Sequence, residues 1–204
     1  MLKQLLQLLA TQRWDDHRYY HQSRINQTLH LISAISFLCA YALLFVDPAT
    51  AALVAWGVSM TTRQAGHFFF EPRSFDVVNQ VSDEYKEAVK VGYNMRRKAV
   101  LLTVWVLLPV ALWFFPSLGG LIEPATDTRG WLHDVGMAWL SLGVTAVLLR
   151  VLQLWVKEKS LLPGIAWATK IITDPVWDIV QYHKSPFYLL KGELLDPMPE
   201  VPRS

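Results

Sequence analysis

Residues 29–46 form an 18-residue stretch without a single Asp, Glu, Lys or Arg. At about 1.5 Å of rise per helical residue, such a stretch nearly covers the ~30 Å hydrocarbon core of a bilayer. Asp47-Pro48 closes it, and a second apolar run, 49–70, follows at once. Two apolar runs joined by a tight polar turn predict a hairpin of membrane helices. Runs at 99–118 and 135–156 predict a second hairpin, with Gly119-Gly120 and Pro124 in the turn between them.

The expected fold is therefore all-α and polytopic: four transmembrane helices, an N-terminal amphipathic helix and interfacial helices in the tail. Residues 1–204 read as a single membrane domain. It comprises an amphipathic and aromatic segment at 1–28, the first hairpin at 29–70, a loop at 71–98, the second hairpin at 99–156 and a tail at 157–204. Leu2, Leu5, Leu6 and Leu9 at helical spacing predict a helix lying in the interface rather than a cleaved signal. Ser82-Asp83-Glu84 reads as a helix start with acidic residues in the first turn. The apolar stretch 161–172 contains Pro163, Gly164 and Lys170, which predicts an interfacial segment rather than a span. Pro186, Pro197, Pro199 and Pro202 predict a loop-like end.

Composition narrows the function classes. The hydrophobic share is 52%, and nine Trp residues suit a membrane–water boundary. A net charge of +2 offers no footprint for nucleic acid. The lone cysteine, Cys39, excludes an internal disulfide and a Cys-based metal site. The three segments before, between and after the predicted hairpins carry 4, 6 and 6 Lys/Arg, whereas the two short turns carry only Arg129. By the positive-inside rule both termini and the 71–98 loop are cytoplasmic. The expected location is a bacterial inner membrane rather than the endoplasmic reticulum.

This topology sorts the histidines. His21, His30 and His67 fall at one membrane face, together with His17 and His183, while His133 falls at the other. Neutral imidazole is a common ligand for iron, zinc and copper. His67 and Glu71 stand four residues apart, as do Asn26 and His30, and His17 and His21. Two helix faces can thus bring several imidazoles, a carboxylate and an amide to one point. Several His with a carboxylate and open positions suit Fe(II) that activates O2. The structural alternative is equally simple: polar residues at helix ends hydrogen-bond in the interface, Glu71 pairs with Arg73 or Arg63, and Arg63 and Arg150 snorkel.

The pattern Tyr20-His21-x4-Asn26-x3-His30, followed by Gly66-His67-Phe68-Phe69-Phe70-Glu71, resembles the membrane 2-hydroxy fatty acid dioxygenase family of α-oxidation, its short bacterial-type members most of all. The likeness covers roughly residues 19–76. It implies an Fe(II)-dependent enzyme that shortens a 2-hydroxy fatty acid by one carbon using O2. Carried over by position, His21, His30 and His67 are the metal ligands, with His17 and His183 as additional candidates. Asn26 and Glu71 are the matching polar residues, each a fourth ligand or a partner of one. Arg63 or Arg24 steadies the substrate carboxylate. The competing expectation is a non-enzymatic membrane scaffold that binds a partner through its cytoplasmic loop and tail. A transporter fits less well, since four helices with few internal charges offer no ion path unless two copies form a homodimer.

Overall fold

The computed structural model describes residues 2–92 and 94–197. Among them the chain is helical, with two isolated β-bridges and no strand. Helix α1 spans Leu2–Tyr20, running on past the Leu2–Leu9 stretch whose spacing predicts it and burying Leu9, Gln12, His17, Tyr19 and Tyr20. Helix α2, Arg24–Leu43, starts where the Ser23 side chain accepts a hydrogen bond from the Asn26 amide. Such a cap satisfies one of the donors a helix start leaves open.

The second apolar run begins with α3, Pro48–Val54, capped by Asp47. It continues through a π-helical segment (Ala55–Met60), α4 (Thr61–Ala65) and a second π-helical segment (Gly66–Phe70). Among the described residues three helical stretches are long and apolar enough to cross a membrane: Arg24–Leu43, Arg96–Phe114 and Thr128–Glu158. The expected fourth span is helical from 48 to 70, but the two π segments divide it, so it is no single α-helix of spanning length. Such π segments recur at functional sites because they swing side chains out of the regular helical register.

Beyond the first hairpin, α5 (Asp83–Val89) starts at the Ser82 cap, as the sequence predicts. Helix α6 is Met95–Phe114, capped by Asn94, and α7 is Thr128–Glu158, capped by Asp127. Helix α8, Leu162–Tyr182, and the short α9, Ser185–Leu190, complete the helices among the described residues. The stretch 161–172, expected to be interfacial rather than a span, is the first half of α8, which is not among the helices apolar enough to cross a membrane. Pro163 sits in the first turn of α8, where a missing N–H is harmless, and the helix runs on for 21 residues.

Helix α2 is the centre of the structure. It packs on α8, α3, α4, α9 and both π segments, while α3 and α8 also pack on α7. Gly136 of α7 permits one of these contacts, since a Cβ there would stand 2.4 Å from the carbonyl oxygen of Ala49. Small residues at helix crossings serve this purpose in membrane bundles. Helix α6 lies outermost: only 6% of its apolar window is buried, against 33% for α2. The tail returns to the α1–α2 junction, where Arg24 pairs with Asp196 and the Arg24 amide donates to the Leu194 carbonyl. Pro199 and Pro202 of the expected loop-like end lie outside the described residues.

Candidate metal centre

Three elements meet at the histidines. His21 occupies the short junction between α1 and α2, His30 lies on α2, and His67 lies on the second π segment. Gly66 brings that segment against α2, because a Cβ at 66 would stand 2.1 Å from Asn26 Oδ1. The His21 and His30 rings are 4.0 Å apart between centroids, His21 and His67 5.2 Å, and His30 and His67 4.9 Å. All three side chains are buried, His30 completely. One nitrogen from each ring lies within 4.8 Å of the other two.

The partners of the rings fix their orientation. His67 Nδ1 lies 2.5 Å from Glu71 Oε2, and His30 Nδ1 lies 3.5 Å from Asp178 Oδ2. His21 Nδ1 lies 3.0 Å from the Tyr182 hydroxyl, which is also 3.3 Å from His17 Nδ1. Burial pushes the Tyr182 phenol well above its usual range, so the hydroxyl keeps its one proton. A hydroxyl with one proton can donate to only one of the two imidazoles. The arrangement that leaves His21 Nε2 a lone pair has His21 Nδ1–H donating to Tyr182 and Tyr182 donating to His17. In the same way Glu71 holds the Nδ1 proton of His67, which turns its Nε2 toward ligand duty, while Asp178 faces His30 Nδ1 without a hydrogen bond. A carboxylate or hydroxyl behind an imidazole is the common means of orienting a metal-binding histidine.

The buried polar atoms fit a metal. His21 Nε2 and both His30 ring nitrogens are buried without a hydrogen-bond partner. Burial disfavours the charged imidazole and holds His21 well below the ordinary value, so a neutral ring is available near pH 7. Orphaned nitrogens in a dry site are costly unless something binds them. Three neutral imidazoles backed by two carboxylates and a phenol make a donor set that can hold a divalent cation. Bonds of about 2.1 Å to one ion put its nitrogens roughly 3–3.5 Å apart, so small side-chain rotations close the set.

The other expected residues separate into those drawn to the centre and those not. Glu71 is there, though bonded to His67 and to Lys90 at 3.2 Å rather than to Arg73 or Arg63. Burial raises the Glu71 carboxyl, and Lys90 and Lys98 oppose that rise. Asn26 is fully buried beside His30. Its amide donates to the Tyr20 carbonyl, and its Oδ1 has no hydrogen-bond partner. Arg63 reaches the site from α4 and forms an ion pair with Asp178. His17 is buried one hydroxyl away, joined to His21 through Tyr182 rather than placed in the cluster.

Two expectations are corrected. His183 is exposed and holds the Val180 carbonyl through Nδ1, because it falls one residue past Tyr182 and faces away from the bundle. Arg24 cannot steady a substrate here: its guanidinium is taken by Asp196 and Gln27 and stacks on Tyr188. His133 stays apart beside Asp134, as the topology requires. Arg150 does not snorkel; it is buried and donates to the Val91 carbonyl.

Sequence reasoning missed the contribution of α8. Lys170, Asp174, Asp178 and Tyr182 recur every four residues and are all buried. They form an inward polar stripe on a helix otherwise apolar enough to look interfacial. The four-residue period was the available signal. Lys170 pairs with both Asp16 and Asp174, so the stripe continues the centre's charge network toward α1.

A cavity of about 820 Å³ opens beside the centre. Arg63, Gln64, His67, Lys98 and Lys170 line its polar side, and Phe37, Leu44 and Trp56 are among the apolar residues on its walls. His67 is the member of the triad on the cavity wall.

Comparison with family models, with curated proteins and with solved structures finds no match to this chain. The likeness to the 2-hydroxy fatty acid dioxygenases thus rests on the histidine pattern alone. What the structure itself carries is an all-helical chain with three helices able to cross a membrane and a buried His21–His30–His67 cluster able to hold a metal ion.

Proposed function

We propose that this chain is an iron-dependent membrane oxygenase acting on a fatty acid, with a 2-hydroxy fatty acid as substrate and O2 as co-substrate. The observation that supports it most is the convergence of His21, His30 and His67, with orphaned buried nitrogens, beside a cavity walled largely by apolar side chains. A purely structural histidine cluster has no reason to leave His30 without a hydrogen-bond partner.

In this reading His21, His30 and His67 hold Fe(II), which when bound supplies the redox chemistry that engages O2. The chain's own residues do the rest. Glu71 and Tyr182 hold the Nδ1 protons of His67 and His21 and so keep those rings turned to the metal, and Asp178 faces His30. Asn26 and Gly66 set the distance between α2 and the second π segment. Arg63, held by Asp178, presents a cation on the cavity wall near the polar end of a bound lipid. The apolar lining keeps water from the acyl chain.

The same reading makes 48–70 a fourth crossing, helical throughout and broken only by its π segments. Both termini and the 71–98 loop then face the cytoplasm, and the membrane is a bacterial inner membrane.

Elemental analysis of anaerobically purified protein tests this. Near-stoichiometric iron, lost in both His30→Ala and His67→Ala, together with O2-dependent shortening of a 2-hydroxy fatty acid, is the expected result. Protein that is free of metal, and whose role in cells is lost only on substitution in the 71–98 loop, would favour the scaffold instead.

A further inference from the structure

Four cations line the cavity: Arg63, Lys90, Lys98 and Lys170. Three have partners. Arg63 is paired with Asp178, Lys90 with Glu71 and Glu87, and Lys170 with Asp16 and Asp174. Among the described residues Lys98 makes no ion pair and no side-chain hydrogen bond. It lines the same cavity as His67 of the metal centre.

The local sequence sharpens the imbalance. Arg96, Arg97 and Lys98 fall in the first turns of α6, after the Asn94 cap. The start of a helix carries the positive end of the peptide dipoles, so three cations there repel it. Arg96 and Arg97 are exposed and can meet lipid phosphates or water. Lys98 is turned inward, onto the cavity. A cation left unpaired there is costly and calls for an anion.

The shape of the cavity says what kind of anion. Its polar side is small next to its apolar lining. The exposed apolar residues Leu44, Phe45 and Leu148 border it along the membrane-facing surface. Along α2 the path from His30 to Leu44 is roughly 20 Å at about 1.5 Å per residue, the length of an extended long acyl chain. A volume of about 820 Å³ accommodates one drug-sized ligand, since such pockets run roughly 300–1,000 Å³. It is too small for a two-chain phospholipid.

We propose that Lys98 is the anchor for the carboxylate of a single-chain amphiphile, which enters from the membrane between α2 and α7 and lies with its head at Lys98 and its tail toward Leu44 and Phe45. This rests on the cavity being the substrate chamber of the oxygenase described above. It fixes which end of the lipid meets the histidines and makes the free acid, not its ester or alcohol, the ligand. Arg63, already neutralised by Asp178, is the secondary contact.

The test uses the full chain in zwitterionic nanodiscs, with metal stripped by chelator so that binding is read apart from metal chemistry. Brominated long-chain carboxylic acid and the matching brominated alcohol are titrated against tryptophan fluorescence; Trp56 and Trp167 line the cavity. The wild type should bind the acid at least tenfold more tightly than the alcohol. Lys98→Met should bring that ratio close to one while leaving alcohol binding, and the iron content of the protein before stripping, unchanged, and Lys98→Arg should restore most of it. An unchanged acid-to-alcohol ratio in Lys98→Met overturns the assignment even if the metal site stands. Competition by phosphatidylglycerol as strong as that by the free acid overturns the single-chain ligand. Retained selectivity in a protein that holds no iron would leave the lipid site standing and remove the oxygenase.

Discussion

The Tyr182 hydroxyl stands 3.0 Å from His21 Nδ1, joining the last turn of α8 to the junction before α2. That contact decides which nitrogen of His21 carries its proton, and so which one is free to bind. Tyr182→Phe removes the contact while keeping the ring. Metal affinity should fall about 10- to 100-fold, the usual consequence of losing a partner behind a ligand. Competition with a coloured chelator measures it. An affinity equal to wild type would mean that Tyr182 does not orient His21.

Asp178 serves two groups at once, the Arg63 guanidinium and His30 Nδ1. Removing it alone strands a buried cation, a change that costs about 3–5 kcal/mol when a buried pair is broken. Asp178→Leu should therefore lose much of its thermal stability, and Arg63→Met/Asp178→Leu should recover most of it. Iron should not return in the double variant, because the carboxylate facing His30 Nδ1 is still missing. Melting curves and metal content together separate the two roles.

Gly66→Ala places a methyl group where Asn26 Oδ1 now sits, 2.1 Å away. Overpacking of this kind costs about 1–3 kcal/mol. The obstacle is a side chain, so Asn26→Ala in the same protein should relieve the strain, giving a non-additive cycle. Gly136→Ala meets the Ala49 backbone instead. No side-chain change at 49 should rescue it. Thermal melts of the set check both statements.

Acid should weaken the centre. Burial holds the imidazoles of His17 and His21 below the ordinary value of 6.5. The unfolded chain therefore takes up protons before the folded one does. Their contribution to stability is full above about pH 6.5 and is lost as pH falls below that toward the depressed folded values. Metal retention should fall in the same direction, since ligands bind only unprotonated. A melting temperature that stays flat between pH 8 and 5 would contradict this.

The sequence made α2, α6 and α7 legible because uninterrupted apolar runs of spanning length have few other uses. The cap at Ser82 and the Asp47-Pro48 turn likewise act within a few residues, and the Ser82 helix start appears as expected. The histidine triad was legible because spacing and charge bias put all three at one face. What could not be read were pairings set by distant segments. Nothing local to Arg24 announces Asp196, and nothing local to His30 announces Asp178. Helix α8 was obscured by its own composition: Pro163, Gly164 and Lys170 suggest interruption when hydropathy is averaged. Its inward face appears only when the polar residues are read at a period of four. The π segments in 48–70 were equally hidden, since they arise from packing against α2 rather than from a residue type.

The dependence of the centre on α8 also fixes the order in which it can be made. The three histidines lie within the first 67 residues, yet Tyr182 is 161 residues beyond His21. During synthesis the first hairpin leaves the ribosome with its imidazoles unoriented, and it stays so until nearly the whole chain has emerged. A metal bound by this centre would therefore be taken up late. A chain cut short before residue 178 would lack both Asp178 and Tyr182 beside the histidines.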